Sequence, residues 1–363
     1  MHSANRKGKL LKQIAISTSS IGVITCILLL TSTEPDLMNL EIQTVLGPQR
    51  YRDIFSKLYQ PMGFTAFDST EHYRWGYLQL ASEENINCQR VFASPTNITR
   101  TPTELKDQLL LKGFVKQEKD DPSTRPEKQS RHYKRFKLHN YIEFFQAQDW
   151  HQFPYGEDTA ILVNAFTSFN VHGKGLIYSH SSPWLEAGAL HYGAIKLLAL
   201  KNSESSQDGR QRIFDEISKK KLANMWHVFV ESFDFVLDFD TVASLGLLHW
   251  KSTEKIDPFG DVTEMRRINC LLKKDGLLFL GLYTGLDSLI LPKESENTTV
   301  QRVYGGVRLP MLMENFQFEA AFDSQHEMNF QQLVANTSPT RVVLVLRKVQ
   351  HSCADDAIKN CPQ

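Results

Sequence analysis

The run "TRVVLVLRKV" (Thr340–Val349) is the feature that most narrows what this chain can become. Its apolar residues are consecutive, not alternating, and several are β-branched. Such a strand is stable only with both faces covered, as inside a sheet flanked by helices on both sides. Other segments fit the same picture. "LIY" (176–178), "AIKLLAL" (194–200), "FDFVLDF" (233–239) and "GLLFLGLY" (276–283) are apolar runs of strand length. "FQFEAAF" (316–322) alternates, as a half-exposed strand does. Between them, "DVTEMRRINCLLKKDG" places Val262, Met265, Ile268 and Leu272 near the spacing of one helix face, and predicts a helix that ends at Gly276. Strands alternating with helices predict an α/β domain over residues 138–350, with a mostly parallel sheet closed by an antiparallel edge hairpin.

The N-terminus carries a different signal. Arg6, Lys7, Lys9 and Lys12 precede a stretch from Gln13 to Ser32 that contains no charge. That length matches the roughly 20 residues a helix needs to cross a bilayer. The flanking charge predicts a cytosolic tail over residues 1–12, a signal anchor over 13–32 and a lumenal or extracellular remainder. A cleaved signal peptide is the competing reading; the long basic leader and the lack of an Ala-x-Ala-like cut site favour the anchor. Sequons at Asn97, Asn297 and Asn336 fit a secretory route. Beyond the anchor the cysteines are Cys88, Cys270, Cys353 and Cys361. Cys353 and Cys361 are placed to close a small loop at the C-terminal tail (351–363), while Cys270, on an apolar helix face, reads as a buried thiol. No cysteine or histidine spacing reads as a metal site.

Basic and acidic residues number 41 each, so no charge excess points to nucleic acid. Residues 33–137 read as a stem. Within it "YRDIFSKLYQPMGF" predicts a helix ended by Pro61, and the rest suggests no fold. The segment 116–137 combines dense mixed charge with two prolines and reads as a solvated linker.

Three stretches, "SPWLEAGALHYGA", "DPFGDVTEMRRINCLLKKDGLLFLGLYTGLD" and "QRVYGGVRLPML", occur in order and at compatible spacing. Together they resemble domain of unknown function 268, an uncharacterised family common in nematodes. The resemblance implies a Rossmann-like, class I methyltransferase-type fold, with S-adenosylmethionine as the cofactor to test. It leaves the substrate, a small molecule or a glycan, unknown.

The turn after the first strand, "YSHSSPWLE", lacks the glycines that let a backbone approach a nucleotide. Ser182 is placed to cap the next helix, Pro183 to start it, and Glu186 to complement its dipole. Alternatively, Ser181 and Ser182 line a variant ligand site with Glu186, Asp238 and Asp240, to which Asp261 is a further candidate. The second strand ends in Lys201 and Asn202, with Glu204 beyond, where an acid would bind ribose hydroxyls. Where related sequences carry a Glu-His pair, this chain has Ala243 and Ser244, with His249 displaced along the loop. Arg302 and Arg308 are candidates for holding an anionic substrate.

The resulting expectation is a single-pass membrane protein bearing a lumenal methyltransferase-like domain, divergent or inactive as an S-adenosylmethionine enzyme. Two alternatives stand beside it. One is a lumenal glycosyltransferase using Asp238-x-Asp240 as a metal site. The other is a non-catalytic interaction protein.

Overall fold

The computed structural model describes residues 37–66, 80–82, 86–93, 102–119, 136–178, 182–201, 214–247, 256–291 and 300–349. The anchor segment, Ser181, Asn97, Asn297, Asn202, Glu204, His249, Cys353 and Cys361 lie outside them. Among the described residues no helix is long and apolar enough to cross a membrane.

The described residues of the expected stem, from Leu37, belong to the same compact unit as the domain. The stem opens with the hairpin β1 (Glu41–Thr44) and β2 (Gly47–Arg50), then a helical stretch from Tyr51 to Met62. Pro61 sits inside the last turn of that stretch, where its missing amide is tolerated, and Gly63 with φ 80° ends it. A short antiparallel pair, β3 (Phe64–Ala66) and β4 (Leu80–Ser82), and helix α1 (Cys88–Phe92) follow. Tyr51, Ile54, Leu58 and Tyr59 pack with Val262, Val307 and Met311 of the later domain in one buried cluster. The Tyr59 hydroxyl donates to the Val307 carbonyl at 2.6 Å. The charged segment also departs from expectation at its start: Lys116–Lys119 forms β5 and pairs with a strand of the main sheet. Its residues are polar because only its backbone is recruited.

The main sheet is built from β6 (Gly173–Tyr178), β7 (Ala194–Lys201), β8 (Asp215–Ser218), β9 (Phe233–Phe239) and β10 (Leu272–Thr284), all parallel. Beyond it come β11 (Ser288–Leu291), β12 (Gln301–Tyr304), β13 (Phe316–Phe322), β14 (Glu327–Met328) and β15 (Thr340–Lys348). The spatial order is β8-β7-β6-β9-β10-β15-β13-β14, with β15 antiparallel to both neighbours. This is the mostly parallel α/β sheet of the methyltransferase fold with its antiparallel edge. β5, β11 and β12 extend it as a side branch from the end of β10.

Helices cover both faces, as the continuous apolar run in β15 required. One buried cluster holds residues of α2 (Leu138–Ala147), α3 (Thr159–Ser168) and α4 (Trp184–His191) against Ile177, Leu237, Phe279, Val343 and Val345. The other holds residues of α5 (Lys219–Asn224), α6 (Gly260–Leu271), α7 (Arg308–Leu312) and α8 (Phe330–Ala335) against Val236, Leu278, Leu280, Val342 and Leu344. Adjacent residues of β15 thus belong to opposite cores. α6 stops at Leu271, earlier than its spacing suggested: Leu272 is extended (φ −70°, ψ 139°) and begins β10, and Gly276 lies inside that strand. The apolar period ran on because Leu272 is buried in either conformation.

Cys270 is not a free thiol. It is joined to Cys88, closing a loop of sequence separation 182 and fastening α1 to α6. Its setting is apolar, with Cys270 2 % exposed, and the half-buried Cys88 is brought to it by the folding of the stem. Replacing both cysteines with alanine is expected to lower unfolding stability by about 2–5 kcal/mol. Thermal melts of the two proteins measure this, and coincident curves would show that the bond contributes nothing.

Candidate functional site

In an open parallel sheet, ligands enter beyond the carboxyl ends of the strands, where the strand order reverses. Here the chain moves from β6 to β7 on one side, while β9 lies on the other. The reversal therefore falls between β6 and β9. Tyr178 ends β6, Phe239 ends β9 and Thr284 ends β10.

The helix that follows β6 begins at Trp184, with Pro183 in the cap position and no side-chain capping bond. Ser182 thus does not cap it, because it lies one residue too early. Trp184 is fully buried and packs against Tyr155 and Phe239, with ring centroids 5.4 and 5.2 Å away. Tyr155 and Phe239 are themselves 4.6 Å apart. Three rings therefore meet where a nucleotide-binding turn keeps its backbone bare. Gly281 on β10 makes room for them, since a Cβ there would overlap the Phe239 ring. Glu186 lies in the first turn of α4 as expected, but is completely buried.

The two aspartates that end β9 do not act together. Asp238 accepts the Val242 amide at 3.0 Å and so starts the short helical turn that follows. Asp240, with φ 71°, turns the chain away from the strand and pairs with Arg341 at 2.8 Å. Arg341 also lies 3.0 Å from Asp158, just before α3, and donates to the Tyr283 hydroxyl at 2.8 Å. An Asp-x-Asp metal site needs both carboxylates turned to one ion, and here they point to different partners. Among the described residues no group of three acidic, histidine or cysteine side chains is arranged to hold a metal.

Burial shapes the acids at this end of the sheet. It pushes the Asp238 carboxyl up to about 7, against the opposing bond from Val242. It also raises the Tyr178 hydroxyl well above its ordinary value, and the neighbouring Glu264 adds to the effect. Tyr178 donates to Glu264 at 2.6 Å, and Glu264 in turn pairs with Arg267 at 2.9 Å. Lys201, at the end of β7, pairs with Glu216 on β8 at 2.6 Å instead of meeting a ribose.

Arg302 and Arg308 face inward and present no guanidinium to solvent, being 1 % and 2 % exposed. Arg308 grips Asp261 through two bonds of 2.8 and 2.7 Å. Arg302 lies 3.5 Å from the same carboxylate and donates to the carbonyls of Ala243, Leu245, Asp257 and Pro258. Burial opposes the charge on Asp261, but the two arginines outweigh it and hold the group at about 2. Their geometry braces loops, and burial keeps both groups from a substrate anion arriving through solvent. Asp261 is likewise spent on this brace.

The structure adds Tyr155, Asp158, Trp184, Tyr283 and Arg341 to the site. Trp184 stood inside the turn already singled out. The others carried no local signal, because each meets the strand ends from a distant part of the chain.

Residues 172–349 match the sequence profile of a family described as Caenorhabditis protein of unknown function, DUF268. No curated protein matches the chain. Solved structures with similar folds include a putative S-adenosylmethionine dependent methyltransferase from Listeria monocytogenes (10 % identity, TM-score 0.36), covering 53 % of this chain and 100 % of that one. A 1,6-didemethyltoxoflavin-N1-methyltransferase from Burkholderia thailandensis aligns at 15 % identity and TM-score 0.36, over 59 % of this chain and 92 % of that one. The N-methyltransferase NodS from Bradyrhizobium japonicum WM9 aligns at 12 % identity and TM-score 0.32, over 57 % and 98 %. It is the strand order above that identifies the fold.

Asp238 sets a pH dependence. Its folded pKa of about 7 lies above the unfolded value of about 3.9, so between them the native state holds a proton the unfolded chain has lost. Stability from this group is complete at acid pH and falls as pH rises from about 4 to about 7. Asp287, raised by burial to about 6, adds a similar slope. Asp238→Asn is expected to shrink the Tm difference between about pH 5 and pH 7.5, leaving the part from other carboxyls raised by burial, Asp287 and Asp158 among them. An unchanged difference in the variant would mean that the folded-state pKa of Asp238 is not raised into this range.

Proposed function

Residues 172–349 of this chain belong to the DUF268 family of uncharacterised proteins, and from that premise we propose that it is a non-catalytic methyltransferase-fold protein of the secretory pathway, held to the membrane by residues 13–32. One observation carries the reading: the carboxyl ends of the strands are packed with the protein's own side chains. Among the described residues there, Tyr178, Ser182, Trp184, Glu186, Asp238, Phe239, Asp240 and Tyr283 are each at most 8 % exposed. A cofactor crevice needs bare backbone and open volume at the strand-order reversal. This one holds three aromatic rings and an arginine bound to two acids. The lysine that ends β7 and the Ala243-Ser244 pair after β9 point the same way, since neither can do the work of an acid.

The secretory setting rests on separate grounds. The Cys88–Cys270 bond belongs to an oxidising compartment. The sequons and the charged, then apolar, leader agree with it. Asn336 stands at a half-buried turn after α8, where its amide donates to Thr340 at 2.8 Å. A non-enzymatic role would be exerted through the outer surface of the domain, for which a rigid core suffices.

Titration calorimetry of the intact protein with S-adenosylmethionine is expected to give no saturable heat up to millimolar cofactor. A saturable isotherm would end the non-catalytic reading. In cells, alkaline carbonate extraction is expected to leave the chain in the membrane pellet, and deletion of residues 13–32 to release it from that pellet. Release of the intact chain by carbonate would overturn the tether without touching the first conclusion.

A further inference from the structure

Arg341 is the second residue of β15, yet its charge lies at the mouth of the sheet, 101 residues away in sequence from its partner Asp240. Its two terminal nitrogens are hydrogen-bonded and its Nε lies beside a carboxylate. One terminal nitrogen donates to Asp240 and the other to the Tyr283 hydroxyl, each at 2.8 Å, and Nε lies 3.0 Å from Asp158. Its surroundings are aromatic, with the guanidinium carbon 4.2 Å from the Tyr283 ring centre, 4.8 Å from Tyr155 and 5.1 Å from Phe239. Rings about a cation with carboxylates at its rim are the chemistry by which proteins recognise cationic ligands. Edge-on oxygens spaced for a flat fork select a guanidinium over a compact ammonium. The site borders solvent on one side, since the Asp158 side chain is 26 % exposed while that of Arg341 is 3 % exposed.

We propose that these residues form a guanidinium-recognition site that the chain keeps filled with its own Arg341, and that an external guanidinium, such as the arginine side chain of another protein, is the ligand class it accepts once Arg341 is withdrawn. The proposal rests on the reading of a filled mouth and names the occupant. An arginine serving only as a packing element would leave behind an apolar void when truncated. Here truncation leaves Asp158, Asp240 and the Tyr283 hydroxyl without their guanidinium beside three rings, a site whose charge calls for a cation. Desolvation disfavours the Arg341 charge, and Asp240 together with Tyr283 and Tyr155 more than offsets it, so the guanidinium stays ionised in place.

The test is chemical rescue in the intact protein. Arg341→Ala is melted with guanidinium chloride at low millimolar concentration, too dilute to denature, and with methylammonium chloride at the same ionic strength. Guanidinium is expected to raise the variant's Tm by several degrees in a saturable way, with methylammonium giving little change. Wild type is expected to show no shift, because its site is filled, and Arg341→Ala/Asp240→Asn to lose the rescue. If Arg341→Ala does not fold alone, recovery of a cooperative melt after refolding with guanidinium, and not with methylammonium, reads the same property. Equal effects of the two cations on the variant, or an equal guanidinium shift in wild type, would overturn the proposal. Cofactor binding by wild type alongside intact guanidinium rescue would sink only the non-catalytic reading.

Discussion

Asp261 holds two buried arginines, and the loops that close the sheet are arranged around that arrangement of charge. A guanidinium taken out of water is tolerated only if its donors are met, and removing one partner from such a pair typically costs about 3–5 kcal/mol. Here the accepting groups come from three places: the turn after β9, the entry to α6, and Asp261 in the first turn of that helix. The arginines come from β12 and from the start of α7. Tyr304 adds its hydroxyl to the same carboxylate at 3.0 Å. Asp287 completes the frame from the other side by accepting the amides of Gly305, Val307 and Arg308. In the described parts of the loop after β9, the carbonyls of Ala243, Leu245, Asp257 and Pro258 are therefore already engaged by buried charge.

The architecture was legible because it is written in local pattern. Continuous apolar runs such as Val342–Leu346 require two covered faces, and segments of that kind separated by helical periods permit few arrangements. Ends of elements were less legible. Leu272 satisfies the period of α6 and the first position of β10 equally well, since burial is its only requirement. The stem was illegible for another reason: its apolar residues, such as Tyr59 against Phe55 and Phe64, share their cluster with Val262, Val307 and Met311 from far along the chain. β5 gave no pattern at all, because a strand recruited through its backbone needs no apolar face.

The candidate site was legible only as a question. Its turn was marked by the missing glycines, and Ser182, Glu186, Asp238 and Asp240 do stand around the strand-order reversal. Their uses were not legible. Whether Asp240 holds a metal, a ligand or an arginine depends on Arg341, and that contact exists only after β15 has been threaded between β10 and β13. Arg302 and Arg308 looked like anion receptors because arginine is the best side chain for that work. The same forked donors also suit carbonyls and a buried carboxylate, and exposure alone separates the two uses.

The turn after β6 now has a physical account. In a nucleotide-binding sheet the absence of side chains at that turn is itself the binding feature, since the ligand takes the space they would fill. Trp184 reverses the logic. Its ring occupies the space, Tyr155 and Phe239 complete a packed layer over the strand ends, and Gly281 supplies the clearance glycine would otherwise give a ligand. The same substitution of internal for external contacts recurs at Lys201 with Glu216, at Asp240 with Arg341 and at Asp261 with its arginines. The Asp240–Arg341 pair and Asp261 with its arginines are buried and belong to the core of the sheet, while the Lys201–Glu216 pair stays partly exposed.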